Sequence, residues 1–372
     1  MMIIASLLSL LGWLYLALFH GRFWQPLLPP LAHAPATWPS VDIIVPARDE
    51  AEALPLSLPS LLAQDYPGNW RILLVDDHST DGTTELARKL AEKAPANRLT
   101  VITAPELPQV WSGKISAMQA GVTKSHADYI LFTDADIKHS SYNLRALVMR
   151  ATEEKIDLVS QMVRLHCQTF AEKLLIPAYV FFFALLYPFR RANNRYSKVA
   201  AAAGGVMLIN RVALDQAGGL EKIRSQLIDD CALARLIKNN GGRIELTLTR
   251  ETESLRIYHR LGDIAQMISR TAYTQLHHSP LQLAATLLGM TILFLAPALL
   301  PLSSHLFAGT IGLIALAAMF LLYLPTILFY DLPWFWAFML PLSALIYMGA
   351  TVDSARLYWQ GKGGMWKGRT QV

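Results

Sequence analysis

Cysteine is nearly absent from this sequence. Cys167 and Cys231 are the two in 372 residues, and neither sits in a CxxC or Cys/His spacing. That argues against structural zinc and fits a reducing compartment. Charge is sparse too, at 16% of residues. No arginine-rich stretch stands out, so nucleic acid is not an expected partner. Internal repeats and low-complexity tracts are missing. No Lys or Arg precedes the first apolar run, Met2 to Phe19, and Ala32-His33-Ala34, which resembles a cleavage site, lies too far beyond it. Both absences weigh against a cleaved signal peptide.

What is abundant is apolar surface, at 53% of residues, and it is concentrated at the two ends. Residues 40–260 have the mixed composition of a globular domain and are ample for one core. The expected organisation is a water-soluble domain bracketed by membrane segments. Met2 to Phe19 is of spanning length, and the first positive charge, Arg22, follows it. Residues 1–22 therefore read as an uncleaved anchor with the domain in the cytosol. Apolar runs near 281–301, 306–330 and 333–352 predict C-terminal transmembrane helices over 281–352. Ser303-Ser304-His305 and Asp331-Leu332-Pro333 break them apart. The tail, 353–372, is basic through Arg356, Lys362, Lys367 and Arg369. Three crossings after a cytosolic domain would leave that tail outside, whereas the positive-inside rule keeps it inside; the charge bias carries more weight than the helix count. A net charge of +5 fits attraction to an anionic inner leaflet. Leu174 to Phe189 is shorter than the ~20 residues of a span and holds two prolines. It is expected to lie in the membrane interface or line a lipid-facing groove.

Between the ends, strand and helix patterns alternate. VDIIVPARDE, RILLVDDHSTDGT, RLTVITAPE and YILFTDAD each open on a β-branched or apolar strand. The helical stretches EALPLSLPSLLAQDY, TTELARKLAEKA (Asp81 a candidate N-cap) and GKISAMQAGVTKS fall between them. This rhythm predicts a mostly parallel α/β sheet, whose ligands bind beyond the strand carboxyl ends. Asp76-Asp77 and Asp134-Ala135-Asp136 stand at such ends. Later, DLVSQMVRL and AAAGGVMLINR read as strands, and LIDDCALARLIKNNGG as a helix opening on Asp229-Asp230 and closing at Gly241-Gly242.

Each acidic pair has a bland reading. Asp134 and Asp136 can form a solvated turn, or offer hard oxygen ligands to Mg²⁺ or Mn²⁺ bridging to a diphosphate. Asp76-Asp77 can be a turn, or accept hydrogen bonds from a base or ribose. Asp229-Asp230 can cap a helix, or serve as a general base whose pKa its neighbour raises. Lys114, in a Gly-containing loop that opens a helix, is a surface lysine or a phosphate ligand. Arg270 is a snorkelling interfacial arginine or a clamp on a leaving diphosphate.

In this order and spacing, VDIIVPARDE, VDDHSTDGT, GK, FTDAD and IDD resemble the family 2 glycosyltransferases of GT-A fold, over roughly residues 40–275. The membrane layout resembles the ceramide glucosyltransferase-like branch. LLIPAYVFFFALLYPFR, AAAAGGVMLINR, LIDDCALA and GGMWKGR look like the hopanoid-biosynthesis-associated glycosyltransferases in particular. The resemblance implies a Rossmann-like mixed α/β sheet with added transmembrane helices. It implies that Pro46, Ala47 and Glu50 line the nucleotide pocket with Asp77 at the base. Lys114 would lie near the diphosphate, Asp134 toward the ribose, Asp136 on a Mg²⁺ or Mn²⁺ ion, and Asp230 as catalytic base. Arg270 falls where the family has Q/R-x-x-R-W. Met267 and Thr271 replace the expected Gln/Arg and Trp, with Gln266 adjacent, which argues against a processive synthase. Asp49 stands where the family usually has Asn.

The implied protein is a multi-pass enzyme of a bacterial-type inner membrane with its catalytic domain cytoplasmic. It would transfer a sugar with inversion from a nucleotide-diphospho sugar, UDP-linked rather than GDP-linked, to a lipid hydroxyl such as that of a hopanoid. A processive polysaccharide synthase of the same fold is the alternative enzyme. A transporter or scaffold with a degenerate domain predicts ionisable residues within the spans and lost carboxylates. A nucleotidyltransferase shares the carboxylates but has no use for Asp230 beside a lipid face.

Overall fold

The computed structural model describes residues 2–364 in full and the backbone of 365–366 and 369–370. Lys367 of the basic tail lies outside the described residues. Eight strands form one sheet: β1 (Val41–Ala47), β2 (Trp70–Asp76), β3 (Leu99–Thr103), β4 (Tyr129–Thr133), β5 (Ile137–His139), β6 (Leu158–Arg164), β7 (Val206–Asn210) and β8 (Ile244–Ser254), in the spatial order β3-β2-β1-β4-β7-β6-β8-β5. All seven residues of β1 are buried, because helices cover both faces of this central strand. One face packs on the helices Leu54–Leu62 and Asn143–Glu153, the other on Gly113–Lys124 and Asp229–Asn239.

The four strands foreseen first, β1 to β4, pair parallel. Beyond β4 the mostly parallel expectation gives way to a mixed sheet. β7 runs antiparallel to both β4 and β6, β8 is parallel to β6, and β5 is antiparallel to β8. Hydrophobic periodicity identifies a strand but not the direction of its partner, so the strand rhythm alone missed this half, whereas the mixed sheet that the resemblance implied is the one that forms. β8 alternates apolar Ile244, Leu246 and Leu248 with polar residues in sequence, yet all of Ile244 to Thr249 is buried, and exposure begins at Arg250. The β6–β8 register shifts between Met162 and Arg164, and near its end β8 pairs on both sides, Glu253 lying opposite Arg164 of β6 and Lys138 of β5.

Among the described residues, four helices are long and apolar enough to cross a membrane: Phe170–Ala192, Pro280–Leu302, Leu306–Phe329 and Trp334–Trp359. The apolar helix Met2–Leu18 is shorter. The segment counted from Leu174 is longer than its apolar run because a capping box starts the helix at Thr169. The Thr169 hydroxyl accepts from the Glu172 amide, and the Glu172 carboxylate accepts from the Thr169 amide. This helix is not a bare lipid-facing rod. Leu175, Ile176 and Phe181 are buried against Trp13 and Phe23 near the N-terminus, Ile264 and Ile268, and Tyr323 and Tyr347. The same apolar cluster takes in Met162 of β6, Leu246 and Leu248 of β8, and Cys231. Strands β6 and β8 and the apolar helices therefore share one core, each fully buried large side chain contributing about 1.5–3 kcal/mol.

Candidate active site

The site forms where β1, β2 and β4 end at one edge of the sheet. Ile44 pairs with Phe132 and Ala47 with Asp76, so the acidic turns leave neighbouring strands side by side. The turn after β4 is fixed from below. Thr133 Oγ1 donates to the Gly205 carbonyl at 2.8 Å, which leaves the His139 Nε2–H to donate to Thr133 at 2.9 Å. Burial pushes the His139 pKa down to about 3, so the ring stays neutral in this role.

Lys114 brings two acidic turns together. Ser112 caps its helix by accepting from the Ile115 amide, and the lysine rises from the first turn into the cleft. Its Nζ lies 2.8 Å from Asp134 Oδ1 and 3.3 Å from Asp229 Oδ2. Burial opposes the ammonium charge, but Asp134, Asp229 and Asp230 outweigh it and raise the Lys114 pKa.

Asp230 sits in the first turn of Asp229–Asn239, gripped by backbone: the Gly204 amide donates to Oδ2 at 2.9 Å and the Cys231 amide to Oδ1 at 2.6 Å. A side chain at residue 204 would put a Cβ 3.2 Å from Lys114 Nζ and 3.4 Å from Asp230 Oδ2, so the close backbone approach favours glycine. Burial, then repulsion from Asp229, pushes the Asp230 pKa up to about 6, with Lys114 and the two amides pulling the other way. A carboxylate poised there suits proton acceptance near neutral pH.

Asp136 points elsewhere. Its Oδ2 accepts from Arg256 Nε at 3.0 Å, and Arg256 Nη2 lies 3.7 Å from Glu50 Oε1. Burial raises the Asp136 pKa; Arg256 opposes this and Asp134 adds to it. Arg256 is the site residue that sequence reasoning missed. The alternation of Ile244, Leu246 and Leu248 was the available signal for β8. Nothing local ties a residue beyond its end to a carboxylate 120 positions earlier.

The residues assigned to the nucleotide pocket cluster around β1 and β2. Pro46 and Ala47 are buried, and the Asp77 amide donates to the Ala47 carbonyl at 2.8 Å. Asp77 is buried with its Oδ2 3.5 Å from Arg48. Glu50 donates through its amide to Thr83 Oγ1 at 2.8 Å, and Asp81 accepts from the Ala51 and Thr83 amides at 2.9 and 3.0 Å. The N-cap position falls to Gly82, in left-handed backbone at φ +91°, and not to Asp81 as expected; Asp81 lies one residue earlier, folds its carboxylate back onto the Thr83 amide and also pins the loop after β1. Asp49 has φ +51°, a left-handed conformation that Asn and Asp adopt more readily than other side chains, and its Oδ1 accepts from the Thr80 amide at 2.8 Å. That explains why Asp is tolerated where the resembling family has Asn.

Arg270 closes the helix Leu261–Ser269, exposed, and makes no ion pair among the described residues. Its charge reaches the Tyr258 hydroxyl, which also feels Arg256 and Asp136. Met267, at the departed motif position, accepts from Tyr258 Oη through Sδ at 3.1 Å.

Among the described residues no group of three His, Cys, Asp or Glu side chains is arranged to hold a metal ion. The acidic turn nonetheless fits one chemistry. Asp136 and Asp134 offer hard oxygen donors, and Mg²⁺-type sites use one or two carboxylates with the other positions on phosphate and water.

The chain is similar to several known proteins. "Probable glycosyltransferase YdaM" of Bacillus subtilis (strain 168) is 26% identical over 231 residues, 60% of this chain and 53% of that protein. The 4,4'-diaponeurosporenoate glycosyltransferase of Staphylococcus haemolyticus (strain JCSC1435) is 31% identical over 113 residues, 30% of this chain and 28% of its own. The chain thus spans about half or less of these relatives' lengths. The solved mannosyltransferase PcManGT from Pyrobaculum calidifontis, in complex with GDP-Man and Mn²⁺, matches with a TM-score of 0.56 at 20% identity, covering 94% of this chain and 98% of that one. The shared fold is that of a GT-A domain with added apolar helices. A sequence model described as glycosyl transferase family 21 matches residues 4–363, which with the GT-A fold supports the family 2-like character of the motifs. This chain belongs to glycosyl transferase family 21.

Proposed function

We propose that this protein is a membrane-bound inverting glycosyltransferase that moves a sugar from a nucleotide-diphospho sugar to a lipid hydroxyl. The observation that carries the reading is Asp230, a backbone-gripped carboxylate with its pKa pushed to about 6, beside the Lys114 bridge to Asp134. Asp230 accepts the proton of the acceptor hydroxyl as that oxygen attacks the anomeric carbon opposite the diphosphate. Lys114 brings positive charge to the side on which the leaving group departs. Asp77, Glu50, Pro46 and Ala47 bound the nucleotide pocket, with Asp134 toward the ribose. Asp136 holds Mg²⁺ or Mn²⁺, which when bound neutralises diphosphate charge. Arg270, exposed at the end of the helix Leu261–Ser269, would serve as a second cation for the diphosphate, a role that rests on the motif resemblance.

The lipid acceptor is supported by where the base lies. Cys231, next to Asp230, is buried in the apolar core shared with the helices Phe170–Leu186 and Leu340–Trp359. An acceptor carried in the bilayer reaches the base at that junction. One similar protein is named for a lipid-like acceptor, 4,4'-diaponeurosporenoate. The UDP donor and the hopanoid acceptor rest on the motif resemblance. So does the bacterial-type inner membrane, whereas the anchor over residues 1–22 and the cytoplasmic domain rest on apolar length and charge position, and the interfacial placement of residues 174–189 on its length and prolines. A mass spectrum of lipids from cells lacking the gene identifies the acceptor: a missing glycosylated hopanoid supports that part of the reading, and an unchanged lipid profile removes it.

Two measurements follow. Protonated Asp230 cannot accept a proton, so kcat/KM should fall about tenfold per pH unit below an acid limb near pH 6, since kcat/KM reports the free enzyme. A profile flat down to pH 5 contradicts the assignment. The folding linkage has the opposite sense. The folded state holds this proton up to about pH 6 and the unfolded chain only to 3.8, so this group's contribution to stability declines as pH rises through that window. Separately, Asp136→Ala should abolish metal-dependent nucleotide binding in calorimetry; binding that still responds to Mn²⁺ as in the wild type removes the metal role.

A further inference from the structure

The sheet places residue 256 beside the acidic turn. β5 and β8 pair antiparallel with Ile137 opposite Ser254, and the Leu255 amide donates to the Asp136 carbonyl at 2.8 Å. Beyond it, the Tyr258 amide donates to Glu172 Oε1 at 2.8 Å, and Thr169 Oγ1 donates to the Tyr258 carbonyl at 2.9 Å. Glu172 itself is fully buried and also accepts from His166 and from the Gln168 and Thr169 amides. The backbone is therefore anchored on both sides of Arg256. Its side chain is not locked in, being 42% exposed, while the Asp136 carboxylate it holds is 15% exposed. A fixed backbone under a long, half-exposed side chain allows a change of partner without moving the loop.

Arg256 and a divalent cation compete for Asp136. Oδ2 is occupied by Nε at 3.0 Å, and two positive groups on one carboxylate repel at that range. A diphosphate offers the guanidinium an alternative, since its paired oxygens match the planar fork of donors. We propose that Arg256 is an exchangeable counterion. In the donor-free enzyme it neutralises Asp136, with Glu50 close by. When a cation takes the carboxylate, Arg256 passes to the donor's diphosphate. This rests on the reading that Asp136 holds the metal. Its consequence is that cation and nucleotide bind as a coupled pair, each raising the affinity of the other.

The test is Mn²⁺ binding to the full-length protein in detergent, read as the free-ion paramagnetic resonance signal with and without UDP or GDP. Arg256→Gln removes the charge and keeps a polar side chain; Arg256→Lys keeps the charge. An opposite charge at this range shifts a carboxylate's proton affinity by tenfold or more. Donor-free R256Q should accordingly bind Mn²⁺ at least about tenfold tighter than wild type, with R256K near wild type. At saturating Mn²⁺, R256Q should bind the nucleotide diphosphate more weakly than wild type. Loss of structure weakens a built site, and the nonspecific Mn²⁺ uptake of a misfolded chain is excluded by requiring a single saturable site and R256K near wild type, so the first readout separates the proposal from a structural role. If wild type takes up Mn²⁺ with nucleotide but donor-free R256Q binds it no better than wild type, the exchange is overturned and the metal reading stands. If wild type takes up no Mn²⁺ with either nucleotide, the metal reading fails and the exchange fails with it.

Discussion

Asp230→Asn should lower kcat by about 10²–10⁴-fold, the range that a positioned general base contributes. The amide can keep one backbone contact, since its Oδ1 still accepts from either the Gly204 or the Cys231 amide, but it cannot take a proton. Donor affinity should survive, because Asp230 faces the acceptor side of the Lys114 bridge while the nucleotide residues cluster around β1 and β2. The measurement is single-turnover sugar transfer in detergent, alongside nucleotide binding by calorimetry. The acid limb near pH 6 should vanish in whatever activity remains. Wild-type turnover in this variant would show that another group accepts the proton.

Lys114→Met should have the second large effect, and on two observables. The ammonium is the shared counterion of Asp134 and Asp229 and acts on Asp230. Removing one partner of a buried ion pair costs about 3–5 kcal/mol, because the remaining charges stay desolvated and unpaired. Chemical denaturation in detergent reads that loss. The catalytic readout is distinct from it. Without the lysine, the Asp230 carboxylate is less stabilised, so the acid limb of kcat/KM should move above pH 6. A variant of wild-type stability with an unmoved pH profile would show that the lysine neither pairs these acids nor tunes the base. Methionine is chosen because its unbranched chain fills the same stem volume without a charge.

Much of the site was legible because its residues lie in short runs with their own chemistry. Asp134 and Asp136 follow a strand, Lys114 opens a helix, and Asp229 and Asp230 open another. Local pattern places each at an element's end, where side chains converge in an α/β fold. The partners were not legible. That Lys114 spans Asp134 and Asp229, that Gly204 donates to Asp230, and that Arg256 occupies Asp136 all depend on contacts between residues far apart in the chain. The Arg270 expectation shows the reverse case. Its motif context pointed to the site, yet among the described residues it stands exposed and without an ion pair, its charge felt at Tyr258.

By itself the sequence determined the elements that periodicity and punctuation encode. These are the parallel strands β1 to β4, the apolar runs that became helices near both ends, and the carboxylates that terminate strands or open helices. Those features depend on neighbours a few residues away, so they can be read along the chain. Only the tertiary structure decided which strands of the mixed half run antiparallel, the burial of Phe170–Leu186 in a core shared with β6 and β8, and which cation serves which carboxylate. Strand direction, shared burial and ion pairing are set by which distant surfaces come to exclude water together, and no local pattern records that choice.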